Sequence, residues 1–142
     1  MTHKSGRIAA FAANFEGSKY DARYVGFFHL FNEEEFYQSH DVLEDLWLEV
    51  RGTPDDTFYK ALIQLAGAFV HLKKSRLRPA RSLFRLSKSY LQTFPDLHHG
   101  LDLSQTVAEI SKWESLLQEL AENPLEHRRP PKLFPADIPQ AS

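Results

Sequence analysis

The sequence predicts an all-α fold: a compact single-domain bundle of about five helices, mostly antiparallel, with an extended proline-rich C-terminal tail. Three observations predict it. No stretch of the 142 residues sustains the two-residue alternation of a half-buried strand, whereas apolar residues recur at helical spacing throughout. Capping residues, prolines and glycines divide the chain into five periodic segments of helical length. The connections between these segments are short, which makes successive helices antiparallel neighbours.

The first helix runs from about Tyr20 to Phe31 and gathers Tyr20, Tyr24, Phe27, Phe28 and Phe31 on one aromatic face. Asn32 stands where an N-cap of the second helix belongs, with Glu35 completing a capping box and Phe31 and Phe36 spaced as a hydrophobic staple. Glu33, Glu34 and Glu35 in its first turn suit the helix dipole. That helix extends to about Val50, near Gly52. Thr53-Pro54-Asp55-Asp56 opens the third helix with an N-cap threonine, a proline at the first helical position and acids in the first turn. Between Ala61 and Leu72 this helix is apolar almost all round, interrupted only by Gln64 and His71, which marks it as the central one. Arg78-Pro79 opens the fourth helix, which continues to about Thr93 and stops before Pro95. Asp102 and Gln105 form a second capping box, and Leu103, Val107, Ile110, Leu117 and Leu120 give the fifth helix its buried stripe up to Pro124. Residues 1–18 read as an N-terminal tail, 19–123 as the helical domain and 124–142 as the C-terminal tail. The last is a strap that carries Leu133, Phe134 and Ile138 among its prolines.

Composition narrows the function. Apolar residues at 42% and charged residues at 25% are those of a globular domain. The absence of cysteine excludes disulfides, thiolate nucleophiles and cysteine-bound zinc, and fits a cytosolic protein. The longest run free of charge and proline, Ala61–Leu72, falls well short of the roughly 20 apolar residues of a membrane span. There is no phosphate-cradling glycine loop, nucleophile elbow, H-E-x-x-H zinc motif or E-x-x-H pair. Net charge is −2, but it is segregated. Thr57–Pro95 holds 8 basic and no acidic side chains, whereas every Asp, Glu, Lys or Arg between Tyr24 and Val50 is acidic. Such asymmetry bears on partners rather than on fold.

Two constellations can carry chemistry. At roughly 100° per residue the second helix places Phe36, His40, Leu43, Trp47 and Val50 in one stripe, with Glu44 on its shoulder. His40 and Glu44, four apart, can meet directly. Read functionally, His40 is a general base or metal ligand with Glu44 as its partner, and His71 or His29 could add a further ligand. Read structurally, the pair is a satisfied histidine–carboxylate network that organises the core. Trp47 belongs to the same stripe, while Gln64 and His71 project with Lys60 and Lys74 and fit a solvated face. The second constellation is Arg78, Arg81, Arg85 and Lys88 on one face of the fourth helix, suited to a partner protein, a phosphate or RNA. His98 and His99 lie in a loop with no third ligand nearby in sequence, and read as a loop feature.

Leu30-Phe31-Asn32, Phe36, His40, Leu43, Glu44 and Trp47 resemble the H-x-x-x-E-x-x-W signature of the family catalogued as domain of unknown function 309. Leu62-Ile63-Gln64-Leu65-Ala66 with His71, Pro79-Ala80 with Leu83, and Gly100-Leu101-Asp102-Leu103 resemble its later blocks, so the resemblance spans about Tyr20 to Leu120. It implies a compact all-helical fold of unestablished activity, with His40, Glu44, Trp47, Gln64 and His71 as the candidate site. Leu48, where many members have a basic residue, and Ala61, where they have glycine, depart from the pattern. The expectation is a non-catalytic interaction or structural module whose partner is a protein, including a second copy of itself, without a cofactor and away from membranes. The alternatives are a small acid/base or metal-dependent enzyme using His40 and Glu44, with His71 completing any divalent metal site, and phosphate or RNA binding by the basic face.

Overall fold

The computed structural model describes residues 3–138. Five helices form the expected bundle: α2 (Ala22–Asn32), α3 (Phe36–Val50), α4 (Asp56–Lys73), α5 (Leu77–Leu91) and α6 (Leu103–Leu116). A further helix, α1 (His3–Ala12), precedes them within the stretch expected to be a tail. Ile8 and Ala12 are buried, and the ring of Phe11 lies against Gly26, where a Cβ would come within 2.7 Å of it. Within the apolar run from Ile8 to Ala13, Ile8, Phe11 and Ala12 thus form the face by which α1 packs on α2 and α3, while Ala9, Ala10 and Ala13 are exposed. A two-residue hairpin, β1 (Leu97–His98) with β2 (Leu101–Asp102), separates α5 from α6.

The core follows from the aromatic excess. Phe27, Phe28, Phe31, Phe36, Phe58, Phe69, Phe84 and Trp113 are essentially inaccessible to solvent. Each such side chain contributes about 1.5–3 kcal/mol through removal of apolar surface from water. α4 is the central helix, buried at Phe58, Ala61, Leu62, Ile63, Leu65, Ala66, Ala68, Phe69 and Leu72 and packed between α3 and α5. Ala61, the position of family glycine, is fully buried and its carbonyl accepts a 2.7 Å hydrogen bond from the buried Ser87 hydroxyl of α5. Leu103, Ile110 and Leu117 are buried as expected, with Val107 and Leu120 half-buried; Thr106 and Trp113 widen the buried stripe, and α6 ends at Leu116 rather than at Pro124.

Two expected helix starts differ. Asn32 is the last residue of α2, not the N-cap of α3. α2 closes in a Schellman turn, with Glu35 N–H bonded to the Leu30 carbonyl, Glu34 N–H to that of Phe31, and Glu34 at φ 63. The Asn32 amide is engaged instead by the strap: its Nδ2 donates to the Leu133 carbonyl at 2.8 Å and its Oδ1 accepts from the Leu133 N–H at 2.7 Å. The expected staple does form, Phe31 and Phe36 meeting edge to face at 5.1 Å. α4 starts at Asp56, because Thr53 turns its hydroxyl back to the Val50 carbonyl. Asp102 caps α6 as expected, accepting from the Gln105 N–H. The C-terminal strap is extended, buries Leu133 and returns to the hairpin through the Ala136 N–H and the Gly100 carbonyl. No helix among the described residues is long and apolar enough to cross a membrane.

Candidate functional site

α3 turns Phe36, Ser39, Val42, Leu43 and Leu46 into the core. His40, Glu44 and Trp47 consequently sit half-buried on its shoulder, rather than at the centre of the stripe. The small Ser39 takes the buried place, its hydroxyl satisfied by the Phe36 carbonyl at 2.9 Å. His40 Nε2 is 4.0 Å from Glu44 Oε2 and its Nδ1 is 3.3 Å from Asp41 Oδ1. With 31% of the His40 side chain exposed, the pair is a solvent-screened contact, not a buried network. Gln64 and His71 on α4 are half-buried rather than fully solvated. Gln64 Oε1, His71 Nδ1 and Trp47 Nε1 are each sealed from solvent without a hydrogen-bond partner. Burial, aided by the charges of Arg76 and Lys74, lowers the His71 pKa below its usual value, so the ring is neutral near pH 7. His29 is engaged with Glu33 at 2.8 Å. His40, Glu44 and His71 do not converge as metal ligands: among the described residues only Asp55, His98 and His99 do.

The basic face of α5 is partly neutralised by α6. Glu114 sits between Lys88 at 2.6 Å and Arg85 at 3.1 Å, while Arg81 donates to the Gln118 carbonyl at 3.1 Å. The Lys88 and then the Arg85 contacts hold the Glu114 carboxyl below its usual range against the opposing effect of burial. Arg78, with Lys74 and Arg76 before it, remains exposed at the α4–α5 corner. The acidic side of α3 is also met within the chain. Arg23 binds Asp21 at 2.9 Å, Asp45 at 2.7 Å and Glu49 at 2.7 Å, tying the start of α2 to the end of α3.

Another grouping of ionisable side chains joins residues that the sequence reading left unconnected. His98 Nε2 lies 2.8 Å from Asp55 Oδ1, and His99 Nε2 lies 2.8 Å from Asp55 Oδ2. Asp55 occupies the N-cap position of α4 yet makes no capping bond, because its carboxylate is turned to the two imidazoles. Adjacent residues in a strand point to opposite faces. Here His99 has φ 46 and Gly100 φ 77, the positive values of a two-residue hairpin turn, and both rings come to the same side with centroids 4.3 Å apart. Gly100 is required there, since a Cβ would meet the Ala136 carbonyl oxygen at 2.5 Å. Phe58 packs on both rings, Phe94 on His98 and Tyr59 on His99, while the Tyr24 hydroxyl donates to the His99 carbonyl at 2.9 Å. Burial raises the Asp55 pKa, but the hydrogen bonds and charges of His98 and His99 together outweigh it and leave the carboxyl below its usual value. Burial also pushes the Tyr59 phenol up to about 12, with Asp55 acting in the same direction.

Residues 24–83 match the model of the family described as Domain of unknown function (DUF309). Over that span the chain is similar to the DUF309 family. A comparison with curated proteins finds no match. The DUF309 span holds α2, α3, α4 and the first turns of α5, and with them His40, Glu44, Trp47, Gln64 and His71. It also holds Asp55 but not His98 or His99, so the histidine–aspartate grouping joins the DUF309 region to the hairpin beyond it. The signal within the sequence was the His-Gly pair between short segments, a turn dipeptide that tolerates positive φ. Its partner Asp55 lies 44 residues before His99 in the chain, which no local spacing reveals.

Proposed function

We propose that the chain is a non-catalytic protein-interaction module whose contact surface is the outer edge of α3, and whose partner is a second copy of the chain. The observation that carries this reading is a line of side chains on that helix. Tyr37 and Leu48 are 61% and 47% exposed, and Asp41, Glu44 and Arg51 share their side at spacings of three and four residues. Tyr37 packs beside the His40 ring and Arg51 lies over the Trp47 ring at 5.6 Å. Tyrosine, tryptophan and arginine in one line are the residue types that anchor protein interfaces. The acidic groups of the line complement Lys74, Arg76 and Arg78, which stand exposed at the α4–α5 corner of the same chain.

Two features weigh against catalysis by His40 and Glu44: their 4.0 Å separation and their exposure. A groove of about 1230 Å³, lined by Phe15, Phe28, His29, Leu133 and Phe134 among others, involves neither of them. Sedimentation velocity over a concentration series tests the reading. Association is expected to increase with protein concentration, to weaken with added salt, and to be lost in Leu48→Asp with unchanged circular dichroism. A single monomeric species at every concentration, or association unchanged in Leu48→Asp, overturns it.

A further inference from the structure

The geometry points to a second site on the molecule: we propose that Asp55, His98 and His99 bind a divalent transition-metal ion of the zinc class. Two imidazole nitrogens and one carboxylate are the donor set of open zinc and related sites, in which a fourth position is left for water or another ligand. In this chain the three donors come from separate elements, the start of α4 and the β1–β2 turn, and their ligand atoms lie within 4.8 Å of one another. Metal–ligand distances of about 2.0–2.2 Å around a tetrahedral ion need donors roughly 3.3–3.6 Å apart. The two observed nitrogen–oxygen separations of 2.8 Å are those of hydrogen bonds. A shift of less than about 1 Å in these contacts, within reach of side-chain rotation, opens them to the spacing an ion requires.

Three further features belong to a built site. The His99 backbone stands in the left-handed region, as the two-residue hairpin turn requires, and this brings its ring to the same side as that of His98. Asp55 forgoes the capping bond that its N-cap position offers and turns its carboxylate to the two imidazoles. The rings of Phe58, Phe94 and Tyr59 flank the donors and limit water around them, while 21%, 30% and 36% of the His98, His99 and Asp55 side chains stay exposed and give an ion a way in. The Tyr24 hydroxyl fixes the His99 main chain from the core side. A hydrogen-bonded clip alone accounts for the two 2.8 Å contacts, so the test has to read the ion itself.

The test uses the full chain without a histidine tag, stripped with chelator and then titrated with zinc, with cobalt as a spectroscopic substitute. One ion per chain is expected, with a rise in Tm, visible cobalt bands of a low-coordinate site, and shifts of the His98 and His99 ring signals in NMR. His98→Gln and His99→Asn, the latter a residue that accepts positive φ beside Gly100, are each expected to weaken binding tenfold or more while circular dichroism is unchanged. His40→Gln is expected to leave binding unaltered. No stoichiometric binding by the wild-type chain overturns the proposal, as does binding that survives in the His98→Gln/His99→Asn double variant. The NMR shifts in the wild-type chain decide the matter without any variant, should one fail to fold. These outcomes are independent of self-association, which is read at α3.

Discussion

Two histidine–carboxylate groupings can be compared within this one chain. His40 and Glu44 share a helix, the resembled signature and an i,i+4 spacing, yet His40 Nε2 and Glu44 Oε2 are 4.0 Å apart and part-exposed. Asp55, His98 and His99 share neither helix nor signature, yet they meet at 2.8 Å among aromatic rings. Spacing along a helix lets two side chains reach each other but does not by itself hold them in contact. Convergence of two elements distant in sequence fixes rotamers, backbone and surroundings together. The signature therefore marks where the family is similar, and the tertiary clip marks where this chain has committed side chains to one arrangement.

The comparison breaks most severely at Phe58. This ring is fully buried and touches His98, His99, Tyr24, Tyr59 and Phe94. Phe58→Ala is expected to cost about 3–5 kcal/mol, the cost of a large aromatic removed from a core, and to free the two imidazoles at once. Denaturant unfolding measures the first effect, and the histidine ring signals in NMR measure the second. If the chain loses stability while the histidines keep their positions, the hairpin and strap hold the clip, and Phe58 only fills space.

The helices were legible because their signal is local. The aromatic face of the first predicted helix became the buried Tyr24, Phe27, Phe28 and Phe31 of α2, and the all-round apolar third helix became the central α4. What failed to show were features decided by distant partners. Asn32 has the local chemistry of an N-cap, but Leu133, 101 residues away, takes both ends of its amide. Ile8, Phe11 and Ala12 make a weak periodic stripe that is helical because Gly26 leaves room for Phe11. His40 was placed near the centre of its stripe by angle alone, whereas packing selected the smaller Ser39 for that position. The family resemblance identified the α3 and α4 residues, but nothing in it connected Asp55 to a hairpin outside the matched span.

An intermediate effect is expected at Arg23, which anchors the signature helix as the clip anchors α4. Its side-chain hydrogen bonds are the leading cause that holds both Asp21 and Glu49 below their ordinary values of 3.8 and 4.5. A carboxylate whose pKa is lower in the folded chain stabilises it fully above the unfolded value, and that stabilisation is lost as pH falls through the folded value. Arg23→Met should therefore lower Tm most near neutral pH, where three carboxylates are left without their cation. The gap to wild type should close as pH falls from about 5 to about 2. A gap that stays constant with pH would show that Arg23 acts through packing of its aliphatic stem rather than through charge.

The smallest effect is expected at the most recognisable residue. His40 is partly exposed, its contact with Glu44 is 4.0 Å, and the 3.3 Å contact with Asp41 is long for a hydrogen bond. Exposed pairs of this kind contribute about 0–1 kcal/mol, and water replaces whatever the ring provides. His40→Ala is accordingly expected to shift stability by about 0.5 kcal/mol or less, measured by urea unfolding at pH 7. A loss of several kcal/mol would instead mean that His40 supports the sealed Trp47 and Gln64 atoms in an arrangement beyond its own contacts, and the signature would then rank with the clip as a fixed element of the fold.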